Sequence, residues 1–153
     1  LAAVASSDTS VEVTVASGTA ATGGGTFLVV VGRRVGTADY AVRLKLLATG
    51  AVTVQPMVGS TALASAPLPG TYTAGQRLRV RLEVTGTSPT TLRARVWPDG
   101  TTEPTAWLVS ATDATPAMQV PGAMGLTSYV SSAATTAPVT ITWDDLRVRA
   151  SAG

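Results

Sequence analysis

Residues 78–107, LRVRLEVTGTSPTTLRARVWPDGTTEPTAW, alternate apolar and polar side chains on both sides of a turn. Leu78, Val80, Leu82 and Val84 share one face, and Leu92, Ala94 and Val96 share it again beyond the turn. A helix gathers residues three and four apart, so only an extended strand can bury a set spaced by two. The segment reads as an antiparallel hairpin with one buried face. If residues 85–90 set Val84 opposite Leu92, Leu82 faces Ala94 and Val80 faces Val96. On the other face Glu83 then meets Arg93, Arg81 meets Arg95, and Arg79 meets Trp97.

The rest of the chain repeats this logic. Val11, Val13 and Val15 alternate with Glu12 and Thr14. Residues 27–31, FLVVV, form a continuous apolar run suited to a strand buried on both sides. Residues 40–47 place Val42, Leu44 and Leu46 inward and Arg43 and Lys45 outward. Between these two strands, residues 32–39 read as a turn that exposes Arg33 and Arg34 to solvent. Thr49-Gly50 and Gly59-Ser60 punctuate further strands at 52–57 and 61–66, and others follow at 106–111, 125–130 and 139–149. In the last of these, Val139, Ile141 and Trp143 are apolar at odd positions but Leu146 and Val148 at even ones. That change of phase needs an extra residue, which predicts a β-bulge at Asp144-Asp145. No apolar period of 3.6 runs over a helical length, and no long repeat is present. With 15 Gly, 9 Pro and 13% charged residues, the composition suits an all-β chain with many turns. The expected architecture is an antiparallel two-sheet β-sandwich, one domain over residues 1–150 with a short tail at 151–153.

Several classes of chemistry are excluded. The chain has neither His nor Cys, so histidine and thiol catalysis, His/Cys zinc sites and disulfides are all ruled out. A net charge of +2 does not indicate a nucleic-acid partner. The run at 27–31 falls far short of a bilayer-spanning helix, so membrane insertion is not expected. No signal peptide is visible, and Leu1 suggests a processed chain or one segment of something larger.

Further specificity comes from Trp97-Pro-Asp-Gly-Thr-Thr-Glu103-Pro-Thr-Ala-Trp107, Ser110-Ala-Thr-Asp113, Gly125-Leu and Ala137-Pro-Val-Thr-Ile-Thr-Trp-Asp144-Asp145-Leu-Arg147-Val. Together with Gly32-Arg33-Arg34-Val-Gly-Thr-Ala-Asp39-Tyr40, they resemble the concanavalin A-like/laminin-G-like jelly-roll module. This module occurs in secreted actinobacterial proteins and in minor tail proteins of their phages. The resemblance implies a jelly-roll sandwich and a non-catalytic, extracellular or virion-surface role in binding and adhesion. The implied partner is a glycan or cell-surface polymer. The alternative is a structural tail or capsid decoration domain that contacts other virion or cell-surface protein subunits. Members usually carry further strands before the position of Leu1, so a sheet edge is expected to be open or completed by another segment or chain. Concanavalin-like glucanases cluster their acids as Glu-x-Asp-x-x-Glu, and this chain has no such cluster. A glycosidase needs two carboxyl groups roughly 5–9 Å apart across the scissile bond. The only adjacent acids are Asp144 and Asp145, which a regular strand would send to opposite faces.

Three sets of residues are candidates for binding. Asp144 and Asp145 at the bulge could hold a structural calcium, as the resemblance also suggests, or pair with Arg147 or Arg149. Arg79, Arg81 and Arg95, extended by Arg43 and Lys45, form either a basic face for an anionic glycan or phosphate or a solvated wall. Trp97, in the outward phase, is expected to be an exposed stacking residue for sugar, with Tyr129 and Tyr40 as alternatives at loop edges. Trp143 is expected in the core, and Trp107 at the edge of the sandwich.

Overall fold

The computed structural model describes residues 4–151. The strands are β1 (Thr9–Ser17), β2 (Thr26–Val35), β3 (Ala38–Leu46), β4 (Val52–Val58), β5 (Thr61–Ala62) and β6 (Ala66–Leu68). They continue as β7 (Leu78–Thr85), β8 (Thr90–Pro98), β9 (Val109–Asp113), β10 (Ala123–Val130) and β11 (Ile141–Ala150). The only helical element among the described residues is a 3-10 turn, Pro116–Met118. One sheet runs β11-β1-β7-β8-β9, and the other runs β10-β2-β3-β4-β5, with β6 also paired to β4. All pairings are antiparallel. The chain is an antiparallel two-sheet β-sandwich.

Burial follows the period of two. Val11, Val13, Val15, Leu78, Val80, Leu82 and Val84 face Leu28, Val30, Val42, Leu44 and Val54 across the interior. Each such side chain contributes about 1.5–3 kcal/mol by leaving water. The β7–β8 register sets Val84 opposite Leu92, Arg81 opposite Arg95 and Arg79 opposite Trp97, as the alternation requires.

Two bulges shift the pattern. In β11, Glu12 pairs Arg147 but Thr14 pairs Asp144, so β11 holds one residue more than β1 over this span. Asp145 absorbs the extra residue in a left-handed conformation (φ 52°), at the predicted place. The second bulge was not legible. β2 continues through Val35, and its pairing with β3 slips between Val31 and Arg33. Gly32 sits at the slip, where a Cβ would lie 2.5 Å from Val84 Cγ2, so a glycine is needed for the sheets to approach. The slip turns Arg33 inward, and it is 0% exposed. Its Nη1 donates to Thr90 Oγ1 (2.8 Å) and to the Met118 carbonyl (3.1 Å), while Nη2 donates to the carbonyls of Ser7 and Gly86. Arg33 is thus a buried tie between strand and loops, where a solvated turn residue was expected. The expected strand at 61–66 is likewise two short strands, β5 and β6, on the same edge of β4.

Candidate functional site

The outward arginines of β7 and β8 are consumed by carboxylates, whereas Arg147 and Arg149 on β11 stay exposed. Arg81 reaches Glu12 (2.6 Å) and Glu103 (2.7 Å), and Arg95 reaches the same Glu103 (2.8 Å). Arg79 bridges Glu12 and Asp99, both at 3.0 Å, and Arg93 pairs Glu83 at 2.9 Å. The like charges that the register sets opposite each other, Arg81 and Arg95, are reconciled by the shared Glu103. Burial alone would raise the Glu103 pKa, but hydrogen bonds from Arg81 and Arg95 outweigh it and hold the group below the usual carboxylate range. Asp99 is held low by its hydrogen bond from Arg77. A general acid for glycoside cleavage needs the opposite, a raised pKa. Geometrically this face is a neutralised lattice, not the basic stripe that Arg79, Arg81 and Arg95 suggested in one dimension.

Asp144 and Asp145 belong to the same lattice. The bulge breaks the alternation, so both carboxylates approach Arg77, at 3.2 and 4.0 Å, and Asp145 also approaches Arg79 at 3.6 Å. Among the described residues, no group of three acidic side chains converges here or elsewhere. Calcium wants six to eight oxygens, and two guanidinium groups beside the carboxylates oppose a dication. The donor set fits ion pairs and does not fit calcium.

Trp97 is 3% exposed, which corrects the expectation of an exposed platform. Its outward phase is real, but residues beyond β8 fold back beside the strand. Arg95 Nη2 donates to the Thr105 carbonyl at 2.7 Å, and the Leu108 amide donates to the Ala94 carbonyl at 2.9 Å. This return holds Trp107 over the arginines, its ring centroid 3.9 Å from the guanidinium carbon of Arg95 and 4.7 Å from that of Arg93. Pairing of β8 with β9 stops at Ala94 and Val109, which leaves the flank of the sandwich open. A cleft of about 460 Å³ results, walled by Trp97, Pro98, Pro104, Trp107, Leu68 and Pro69, with Arg95 and Thr102 also lining it. Trp107 is half-buried and lines this cleft, and Trp143 is half-buried against the core.

The outer face of the second sheet is different. Tyr129 is the penultimate residue of β10 and 47% exposed. Its ring stacks on Phe27 with centroids 4.5 Å apart and planes 11° from parallel. Arg43 and Lys45 stand on this face, not beside Arg79: their charges lie 5.5 and 5.7 Å from the Phe27 centroid. Beneath them Val31, Ala41 and Met57 form a small buried apolar floor. Tyr40 is buried on the opposite side of β3, its hydroxyl donating to Asp113 Oδ2 at 2.6 Å. Burial and that carboxylate push its pKa up to about 12, so it is a structural tie with no surface for sugar.

No family model matches the chain, and no curated protein matches it. Among solved structures it is similar to the carbohydrate binding module CBM66 from Bacillus subtilis, with a TM-score of 0.61. The two are 14% identical, and the match covers 97% of this chain and 78% of that one. At this identity the likeness defines a shared β-sandwich fold.

Proposed function

We propose that the chain is a non-catalytic carbohydrate-binding module that engages polysaccharide through the cleft beside Trp107, at a cell or virion surface. The observation that carries this reading is the cleft itself: indole and proline walls on an open flank, with Arg95 and Thr102 supplying polar contacts. Pyranose rings present apolar C–H faces to aromatic walls and hydroxyls to such polar groups. Similarity of fold to a carbohydrate binding module supports the same reading. Carboxylates held low by arginines argue against acid catalysis.

The alternative role, a decoration domain of a tail or capsid, would draw on the open edge of β11. That strand is exposed over most of its length, but its bulge and its Asp144, Asp145, Arg147 and Arg149 side chains work against addition of another strand. Carbohydrate recognition is therefore preferred. A glycan array followed by calorimetry tests it. Trp107→Ala should weaken the best neutral ligand roughly tenfold, as expected for loss of one aromatic contact, with the fold retained. Unchanged affinity in that variant would remove the cleft from the account.

A further inference from the structure

We infer that the outer face of the second sheet is a separate subsite for the carboxylate of an acidic sugar unit, a hexuronate within a polysaccharide. This deepens the carbohydrate reading and rests on it. Arg43 and Lys45, two residues apart on β3, share the outward phase, and among the described residues neither pairs with a carboxylate. The neighbouring Arg34, in contrast, is closed by Asp39 through two hydrogen bonds of 2.6 Å. Arg43 is oriented but not neutralised. Its Nε and Nη2 both donate to Gln55 Oε1, at 3.1 and 2.8 Å, and Nη1 lies 3.3 Å from the Tyr129 hydroxyl. A neutral amide partner fixes the guanidinium while preserving its charge for a ligand.

Shape points the same way. The exposed Tyr129 ring, backed by stacked Phe27, forms a flat platform beside a recess of about 200 Å³. Val29, Ala41 and Met57 line the recess with Arg43, Ser60 and Thr127, and Asp39 lines it with its carboxylate already held by Arg34. A sugar ring can lie with its apolar face on Tyr129 and its hydroxyls toward Ser60 and Thr127. The carboxylate on its sixth carbon then meets Arg43 and Lys45. A neutral sugar would leave both cations uncompensated. The flat fork of arginine matches a planar carboxylate, which favours a uronate over a sulfate ester.

Calorimetry on the folded chain can use a matched pair: polygalacturonate, and the same polymer with its carboxylates methyl-esterified. Dextran sulfate serves as a general polyanion, and a neutral glycan that binds at the Trp107 cleft serves as the reference. The acid form should bind at least about tenfold more tightly than the ester and than dextran sulfate, since one charge-assisted contact is worth about that factor. Arg43→Gln and Lys45→Ala should each erase most of this preference, and Tyr129→Ala should weaken binding of the acid form. None of these should affect the neutral glycan, and Arg81→Ala should leave the preference intact. Equal binding of acid and ester overturns the subsite, as does dextran sulfate binding as tightly as polygalacturonate. If neutral glycans bind through Trp107 but polygalacturonate does not, the subsite fails alone. If no carbohydrate binds at all, the carbohydrate reading fails with it. The acid–ester comparison needs no variant, so a misfolded substitution cannot obscure the result.

Discussion

The two outer faces of this sandwich carry similar side chains to different ends. On the first sheet, Arg77, Arg79, Arg81, Arg93 and Arg95 are each held by at least one of Glu12, Glu83, Asp99, Glu103, Asp144 and Asp145. On the second, Arg43 and Lys45 meet only amide, phenol and aromatic ring. An arginine count is therefore a poor guide to a binding face; what matters is which acids the fold delivers to it. The first face is built to hold strands and a return loop together. The second keeps its charge for something outside the chain.

Substitutions should separate these roles, beginning with the largest effect. Trp97→Ala, on the paired face, removes a buried wall and should cost about 3–5 kcal/mol. Tyr129→Ala on the open face should cost less than about 1 kcal/mol, because an exposed ring has little burial to lose. Urea melts of the two variants measure the difference, and equal losses would erase the contrast.

Glu12→Ala should follow, at about 2 kcal/mol, because it strips both Arg79 and Arg81 of a largely shielded partner. In a domain of this size that lowers Tm by roughly 4–8 °C. Lys45→Ala should shift Tm by less than about 2 °C, as typical for a surface substitution.

Acid should act on the first face through Glu103. The Glu103 pKa is depressed on folding, so its contribution is fully present above the unfolded carboxylate value, about 4.3. It is lost as pH falls through the lower folded value. Urea midpoints at pH 7 and pH 3 should drop less for Glu103→Gln than for the parent chain. An equal drop would mean that Glu103 contributes nothing to the pH dependence. The smallest effect expected is from chelation: with Asp144 and Asp145 engaged by Arg77 and Arg79, EGTA should leave Tm unchanged. A fall in Tm would restore calcium to that bulge.

The hairpin register and the bulge at Asp145 follow from alternation alone, because a period of two and a break in it are local properties. Alternation says whether a side chain points out, but not which sheet it is on. Arg43 and Lys45 therefore looked like an extension of Arg79 and Arg81. Alternation sets Trp97 on the correct side of its strand, yet nothing in the periodicity of β8 reveals that the indole is buried. The inward turn of Arg33 is not legible, because a glycine in an apolar run can mark either a turn or a bulge. Phe27 and Gln55 became candidates only once β10 and β4 were seen to flank β2 and β3.

Ligand should meet the open cleft and the unpaired face while the paired arginines remain occupied. Side-chain NMR of the arginine Nε–H groups and of Trp107 and Tyr129 can be followed while a bound oligosaccharide with one uronate is titrated in. Trp107, Tyr129 and Arg43 should shift with the ligand while Arg79 and Arg81 stay in place. Shifts concentrated at Arg79 and Arg81, with Tyr129 and Arg43 unmoved, would contradict that expectation.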